Sequence, residues 1–198
     1  MSADFCYRAS MHGPTYWFCH KWIHACHARL PPPKKRGMMT LKLSNLREQL
    51  KKEEIDALLI TNPYNRSYMT NFTGTAGVAI VSADDAVFIT DFRYTEQAEK
   101  EIVGYRIVQH TKTIIEEVAA QISKMNVSTL GFEKDDMAFG LYESYKKEVK
   151  SNLKPVLGLV EKLRMVKTPD ELTLLKKAAK IADDAYEHII KFIKPGIS

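Results

Sequence analysis

Residues 62–77 read NPYNRSYMTNFTGTAG, and the fold is decided around them. Asn62 followed by Pro63 is an N-cap followed by proline at the first helical position, which predicts a short helix reaching about Met69. The run before it, DALLIT at 56–61, is apolar, short and suited to a buried strand. After it, 76–81 and 86–90 are two strand patterns joined across Ser82-Ala83-Asp84-Asp85, a hairpin. Gly74-Thr75-Ala76-Gly77 precedes a strand rather than a helix, so it is turn chemistry and not a phosphate-binding loop.

The same reading extends in both directions. Upstream, Ser44 is a plausible N-cap for a helix to about Glu54, with Leu46 and Leu50 on one face. Downstream, Asp91 is expected to cap a helix over 94–101, and 105–109 is a strand. Thr113 with Glu116 forms a capping-box pattern ahead of Ile115, Val118, Ala119, Ile122 and Met125 on one face. Strand 128–132, helix 139–150 and an extended piece at 153–157 follow. Alternating strands and helices with one hairpin predict an α/β fold, a mixed β-sheet flanked by helices. Residues 159–165 read as a short helical linker. Thr168-Pro169-Asp170-Glu171 then packs an N-cap, an N1 proline and a capping-box glutamate into four residues. The helix it opens carries Leu172, Leu175, Ala179, Ala182, Ala185, Ile189 and Phe192 in a stripe up to Lys194-Pro195-Gly196.

The chain has 198 residues and a formal charge of +5. Residues 1–38 hold Arg8, Lys21, Arg29, Lys34, Lys35 and Arg36 against Asp4 alone, which accounts for the whole excess. The rest is electrically balanced, so no basic face for nucleic acid is expected. The same leader holds all three cysteines, Cys6, Cys19 and Cys26. A domain without cysteine fits the cytoplasm, where disulfides rarely form. No stretch has the apolar core of a signal peptide or the length of a membrane span. Cys19, His20, His24, Cys26 and His27 invite a zinc reading, but their spacing matches no standard finger. Residues 1–38 are expected to be a disordered or spurious leader, with Met38 or Met39 as the alternative start.

Two runs carry a family resemblance: the quoted segment with TDFRYTEQA at 90–98, and EKLRMVKTPDELTLLKKAAKIADDAY at 161–186 with IKPG at 193–196. They resemble the amino-terminal part of creatinase-like "pita-bread" metallopeptidases, the aminopeptidases P and the prolidases, most of all bacterial Xaa-Pro dipeptidases. The resemblance implies a creatinase N-terminal-like, ribonuclease H-like domain over 39–158. It implies next a linker and the first long helix of a truncated pita-bread domain over 159–198. It also implies hydrolysis of the Xaa-Pro peptide bond by two divalent metal ions (Mn, Co or Zn) held by two Asp, one His and two Glu. No such ligand set is legible here, so no catalytic or metal residue is assigned. His110 follows a strand, and His188 lies beside Asp184 on a solvated helix face. The implied partners are a catalytic domain outside this chain, short proline-containing peptides and a second copy in a homodimer.

In the resembling enzymes, the loop after the first strand and helix approaches the active-site mouth. By position, this singles out Tyr64, Asn65, Phe72, Thr73 and Arg93 as substrate-cleft candidates. Phe72 would form an apolar wall, and Asn65 and Thr73 would bond a peptide terminus. Arginine's fork suits a carboxylate. The competing assignment makes Asn65 a capping or turn residue, Phe72 core, and Asp91 with Arg93 a structural ion pair. Two functional readings follow: a gating and dimerisation domain of a metal-dependent Xaa-Pro dipeptidase, or a stand-alone non-catalytic binding or scaffold module of the same fold.

Overall fold

The computed structural model describes residues 35–196. Its centre is a six-stranded sheet in the order β4-β3-β2-β1-β5-β6. The strands are β1 (Ala57–Ile60), β2 (Val78–Ser82), β3 (Ala86–Thr90), β4 (Arg106–Gln109), β5 (Thr129–Glu133) and β6 (Asn152–Val156). Only β2 runs against its neighbours; β1 pairs in parallel with β5, β5 with β6 and β3 with β4. The expected mixed sheet is present, and 82–85 turns the β2–β3 hairpin.

Helices cover both faces. On one face lie α1 (Lys35–Lys52), α2 (Pro63–Thr70), α3 (Thr95–Glu101) and α6 (Leu159–Met165); on the other lie α4 (Ile114–Lys124) and α5 (Phe139–Glu148). The pleat sorts the side chains. Leu58 and Ile60 join Leu46, Leu50, Met69, Phe72, Phe88 and Val160 in one core. Ala57 and Leu59 join Val118, Ile122, Phe132 and Tyr145 in the other. A strand buried on both faces is apolar without alternation, which is why DALLIT looked as it did.

Ser44 does not start a helix. Met39, Leu43, Leu46 and Leu50 are all buried, at steps of four, three and four, and this stripe carries the helix upstream of Ser44 to Met39; α1 itself begins at Lys35, inside the span expected to be leader. Ser44 sits mid-helix, its hydroxyl donating to the Leu41 carbonyl at 2.9 Å. The apolar face overrides the local capping preference. The reading of residues 1–34, including the zinc possibility, lies outside the described residues.

Both α1 and α4 stop in the same way. Glu54 (φ 53°) and Asn126 (φ 51°) adopt the left-handed conformation. The next amides, Ile55 and Val127, reach back to the carbonyls of Leu50 and Ile122. Thr113 caps α4 by accepting from the Glu116 amide at 3.2 Å.

The last helix, α7 (Pro169–Ile190), opens on the complete capping box read from Thr168-Pro169-Asp170-Glu171. None of its residues is buried, and Leu172, Leu175, Ile181, Ile189 and Phe192 lie exposed along it and just beyond. Among the described residues, no helix is long and apolar enough to cross a membrane.

Candidate functional site

Because β2 is the one reversed strand, the edge where β1, β3, β4, β5 and β6 end is also the edge where β2 begins. That edge gathers the segments after β1 (61–65), before β2 (71–77), after β3 (91–94) and after β5 (134–138). Open α/β sheets place their ligand sites beyond the carboxyl ends of their strands.

A buried polar cluster stiffens the centre of this edge. Asn62 starts α2 with its side-chain oxygen accepting from the amides of Tyr64 (3.0 Å) and Asn65 (3.1 Å). The carboxylate of Glu133, at the end of β5, accepts from the amides of Thr61 and Asn62, both at 2.8 Å. It also accepts from the Asn65 side chain at 2.6 Å. Asn65 is wholly buried; its amide nitrogen donates as well to Glu161 (2.5 Å), and its oxygen accepts from Arg164 (2.8 Å). Asp136 accepts from the Thr61 hydroxyl (2.9 Å) and the Asn62 amide group (3.1 Å). Burial pushes the Glu133 carboxyl above its ordinary range against the pull of its Asn62, Asn65 and Thr61 donors, and the charge of Glu161 adds to the rise.

The 71–77 loop is built around a buried guanidinium. Arg66 donates to the carbonyls of Gly77 (2.6 Å), Gly74 (3.1 Å) and Thr75 (3.0 Å). Burial holds its pKa below the usual arginine value, and the negative charge of Asp136 partly offsets this. Gly77 has φ +140°, and a Cβ there would stand 2.6 Å from the Phe88 ring and 2.9 Å from the Ile89 carbonyl. Only glycine fits this approach. Further out, Thr73 bonds Glu101 through both its amide (2.8 Å) and its hydroxyl (2.9 Å), and accepts from Gln97 (2.9 Å). Tyr94 and Thr75 share a hydroxyl contact of 2.8 Å.

The five cleft candidates separate. Tyr64 is 71% exposed, and Thr73 and Arg93 are also exposed, all three on this edge. Phe72 is not a cleft wall. It is 1% exposed and packs edge-on against Phe88 (4.8 Å) and Tyr94 (5.8 Å), because the left-handed Asn71 (φ 57°) ends α2 and turns the chain inward. Asn65 cannot meet a peptide terminus either, since its amide is fully committed to Glu133, Glu161 and Arg164. Arg93 forks onto Asp91 at 3.1 and 2.7 Å, which holds the Asp91 carboxyl below the usual range. Asp91 caps the tight turn at Arg93 (2.9 Å) rather than α3, whose N-cap, Tyr94, makes no side-chain cap bond.

Arg66, Glu133, Glu161 and Arg164 escaped the reading of the sequence. A carboxylate directly after the apolar strand TLGF was a usable signal; the pairing of α2 with α6, almost a hundred residues apart, was not. A cavity of about 70 Å³ opens beside Asn62, Glu133, Asp136, Leu159 and Glu161. Small-molecule sites run to roughly 300–1,000 Å³, so this cavity is too small for a dipeptide. Among the described residues, no three His, Cys, Asp or Glu side chains are grouped to hold a metal ion. His110 bonds the Lys112 carbonyl at 2.8 Å, and His188 stacks obliquely on Phe192 at 4.9 Å.

Comparison with known proteins matches residues 42–166 to the Creatinase/Prolidase N-terminal domain. The chain is 46% identical over 159 residues to "Uncharacterized peptidase YqhT" of Bacillus subtilis (strain 168), covering 80% of this chain and 45% of that protein. Among solved structures, the Xaa-Pro dipeptidase from Bacillus anthracis superposes with a TM-score of 0.79 at 49% identity, covering 81% of this chain and 45% of that one. An Xaa-Pro aminopeptidase chain from Streptococcus pyogenes gives a TM-score of 0.60 at 32% identity, covering 64% of this chain and 98% of the other. The chain thus spans about half the length of the curated relative and of the dipeptidase.

Proposed function

The chain belongs to the creatinase/prolidase N-terminal domain family, and on that premise we propose that it is the substrate-gating and dimerisation domain of a metal-dependent Xaa-Pro dipeptidase. One observation supports this beyond the match itself. The carboxyl edge presents Tyr64, Thr73 and Arg93 on a rigid, polar-pinned base, yet its cavity beside Glu133 is too small for a dipeptide. A second body must close over the edge to complete a peptide-sized cleft. In this reading the second body is a pita-bread catalytic domain, either the one that α7 leads into or that of a homodimer mate. The apolar stripe of α7 docks against the former.

In this reading the hydrolytic chemistry would belong to that domain, where two divalent metal ions (Mn, Co or Zn) would supply Lewis-acid chemistry when bound. Among the described residues no three His, Cys, Asp or Glu side chains are grouped to hold such ions, and no hydrolytic step is assigned to these residues. Their work is to exclude water and to limit length. Tyr64 offers an apolar flank to a proline ring, and Thr73 and Arg93, bonded to Glu101 and Asp91 but unlike Asn65 exposed, offer polar contacts at the rim. We place the protein in the cytoplasm, acting on short proline-containing peptides.

The test is kinetic. The chain is combined with a matching catalytic half, and hydrolysis of Ala-Pro is compared for Tyr64→Ala, Thr73→Ala and Arg93→Ala. Loss of one contact worth about 1.4 kcal/mol raises KM about tenfold. A KM unmoved by all three substitutions contradicts the gating role.

A further inference from the structure

The described body of the domain gives way at one point to a helix that it does not bury. α6 is seated by Leu159 and Val160, 3% and 1% exposed; α7 has no buried residue. Packing therefore does not fix the direction in which α7 leaves. A polar contact stands at the junction instead.

Lys42, on α1, is 5% exposed, which is rare for a lysine. Its ammonium donates to the Tyr68 carbonyl at 3.0 Å, lies 3.8 Å from the centre of the Tyr68 ring and faces Glu171 Oε1 at 3.4 Å. Glu171 is the capping-box residue of α7. Its other oxygen accepts from the Thr168 amide at 2.9 Å. One carboxylate thus closes the first turn of α7 and pairs with a cation inside the domain. The Tyr68 hydroxyl reaches the Leu163 carbonyl at 3.3 Å, tying α6 to the same place.

We propose that Lys42 is a positioning residue: its ion pair with Glu171 aims α7, and with it the catalytic half, relative to the carboxyl edge. A buried ammonium without its counter-charge is costly, so α1 accepts the start of α7 in only one arrangement. Helical rise is about 1.5 Å per residue, so a tilt at Glu171 is magnified at the far end of α7. The proposal deepens the gating reading and rests on it, but its test does not require activity.

The full chain, with Cys6, Cys19 and Cys26 replaced by serine, carries spin labels at Asp84 and Glu187, both exposed. Pulsed dipolar spectroscopy then reads the distance between them. The unsubstituted pair should give one narrow distribution. Lys42→Met retains the capping box, so α7 stays helical by circular dichroism while the distribution broadens at least twofold. Glu171→Gln keeps an oxygen for Thr168 but loses the charge, and should broaden it as well. Equal, narrow distributions in all three chains would overturn the proposal, as would a broad distribution before substitution. Because only this chain is measured, a failure here is distinguishable from a failure of the peptidase reading.

Discussion

The side-chain amide of Asn65 lies 2.6 Å from Oε1 of Glu133, a contact spanning 68 positions of sequence that ties the start of α2 to the end of β5. The same amide holds Glu161 and Arg164, so three charged side chains converge on one uncharged residue. Hydrogen bonds to charged groups contribute about 1.5–3 kcal/mol each. Asn65→Ala should therefore cost at least about 3 kcal/mol, read as a lower midpoint in urea. Asn65→Asp adds a carboxylate beside two others, and its penalty should shrink as the pH is lowered. Equal penalties at pH 5 and pH 8 would refute the convergence of carboxylates on this position.

Glu133 itself should titrate high. Burial raises its folded-state pKa above the ordinary 4.5, against the pull of its three donors. In the folded state it therefore keeps its proton to a higher pH than in the unfolded chain. Its contribution to stability is complete below the ordinary value and is lost as pH rises through the raised one. A ¹³C titration of the side-chain carboxyl checks this; a midpoint at or below 4.5 would refute it. Asp91 should show the opposite sense: held low by Arg93, its contribution is present at neutral pH and lost in acid.

Phe72 and Tyr64 test the division between core and edge. Phe72→Ala empties a site packed by Phe88 and Tyr94 and should cost about 3–5 kcal/mol. Tyr64→Ala, at 71% exposed, should change stability by no more than about 0.5 kcal/mol. Thermal unfolding separates them. Similar losses at the two positions would remove the basis for placing Tyr64 in the cleft.

Arg66 tests the loop. Three backbone carbonyls of residues 74–77 accept from its guanidinium, and Nε is buried without a hydrogen-bond partner among the described residues. Arg66→Leu should leave the sheet folded but expose those carbonyls to water, and amide exchange in 73–77 should accelerate at least tenfold. Unchanged protection would show that the glycines hold the loop unaided.

Local chemistry explains what was legible in the chain. The Asn62-Pro63 start, the 82–85 hairpin, α6 and the capping box at Thr168 each depend on neighbours within four residues, and each stands where the sequence placed it. Ser44 failed because a stripe from Met39 to Leu50 outweighs one hydroxyl. The site was less legible because its bonds are long-range. Nothing near Asn65 shows that Glu133, Glu161 and Arg164 will meet it, and without them the residue looks free to bind a ligand. Phe72 stood open between cleft wall and core for the same reason. Its burial depends on Phe88 from the neighbouring hairpin strand, not on its own surroundings in sequence.

The central claim is that this chain gates and orients a peptidase whose chemistry lies elsewhere. The direct measurement is Mn²⁺-dependent hydrolysis of Ala-Pro by the chain alone, and then mixed with a separately made pita-bread catalytic half. The account predicts no turnover alone and turnover on mixing, lost again when Tyr64, Thr73 and Arg93 are replaced together. Metal-dependent turnover by the chain alone would contradict it. So would silence on mixing with a folded, metal-loaded partner, which would leave a non-catalytic module of the same fold.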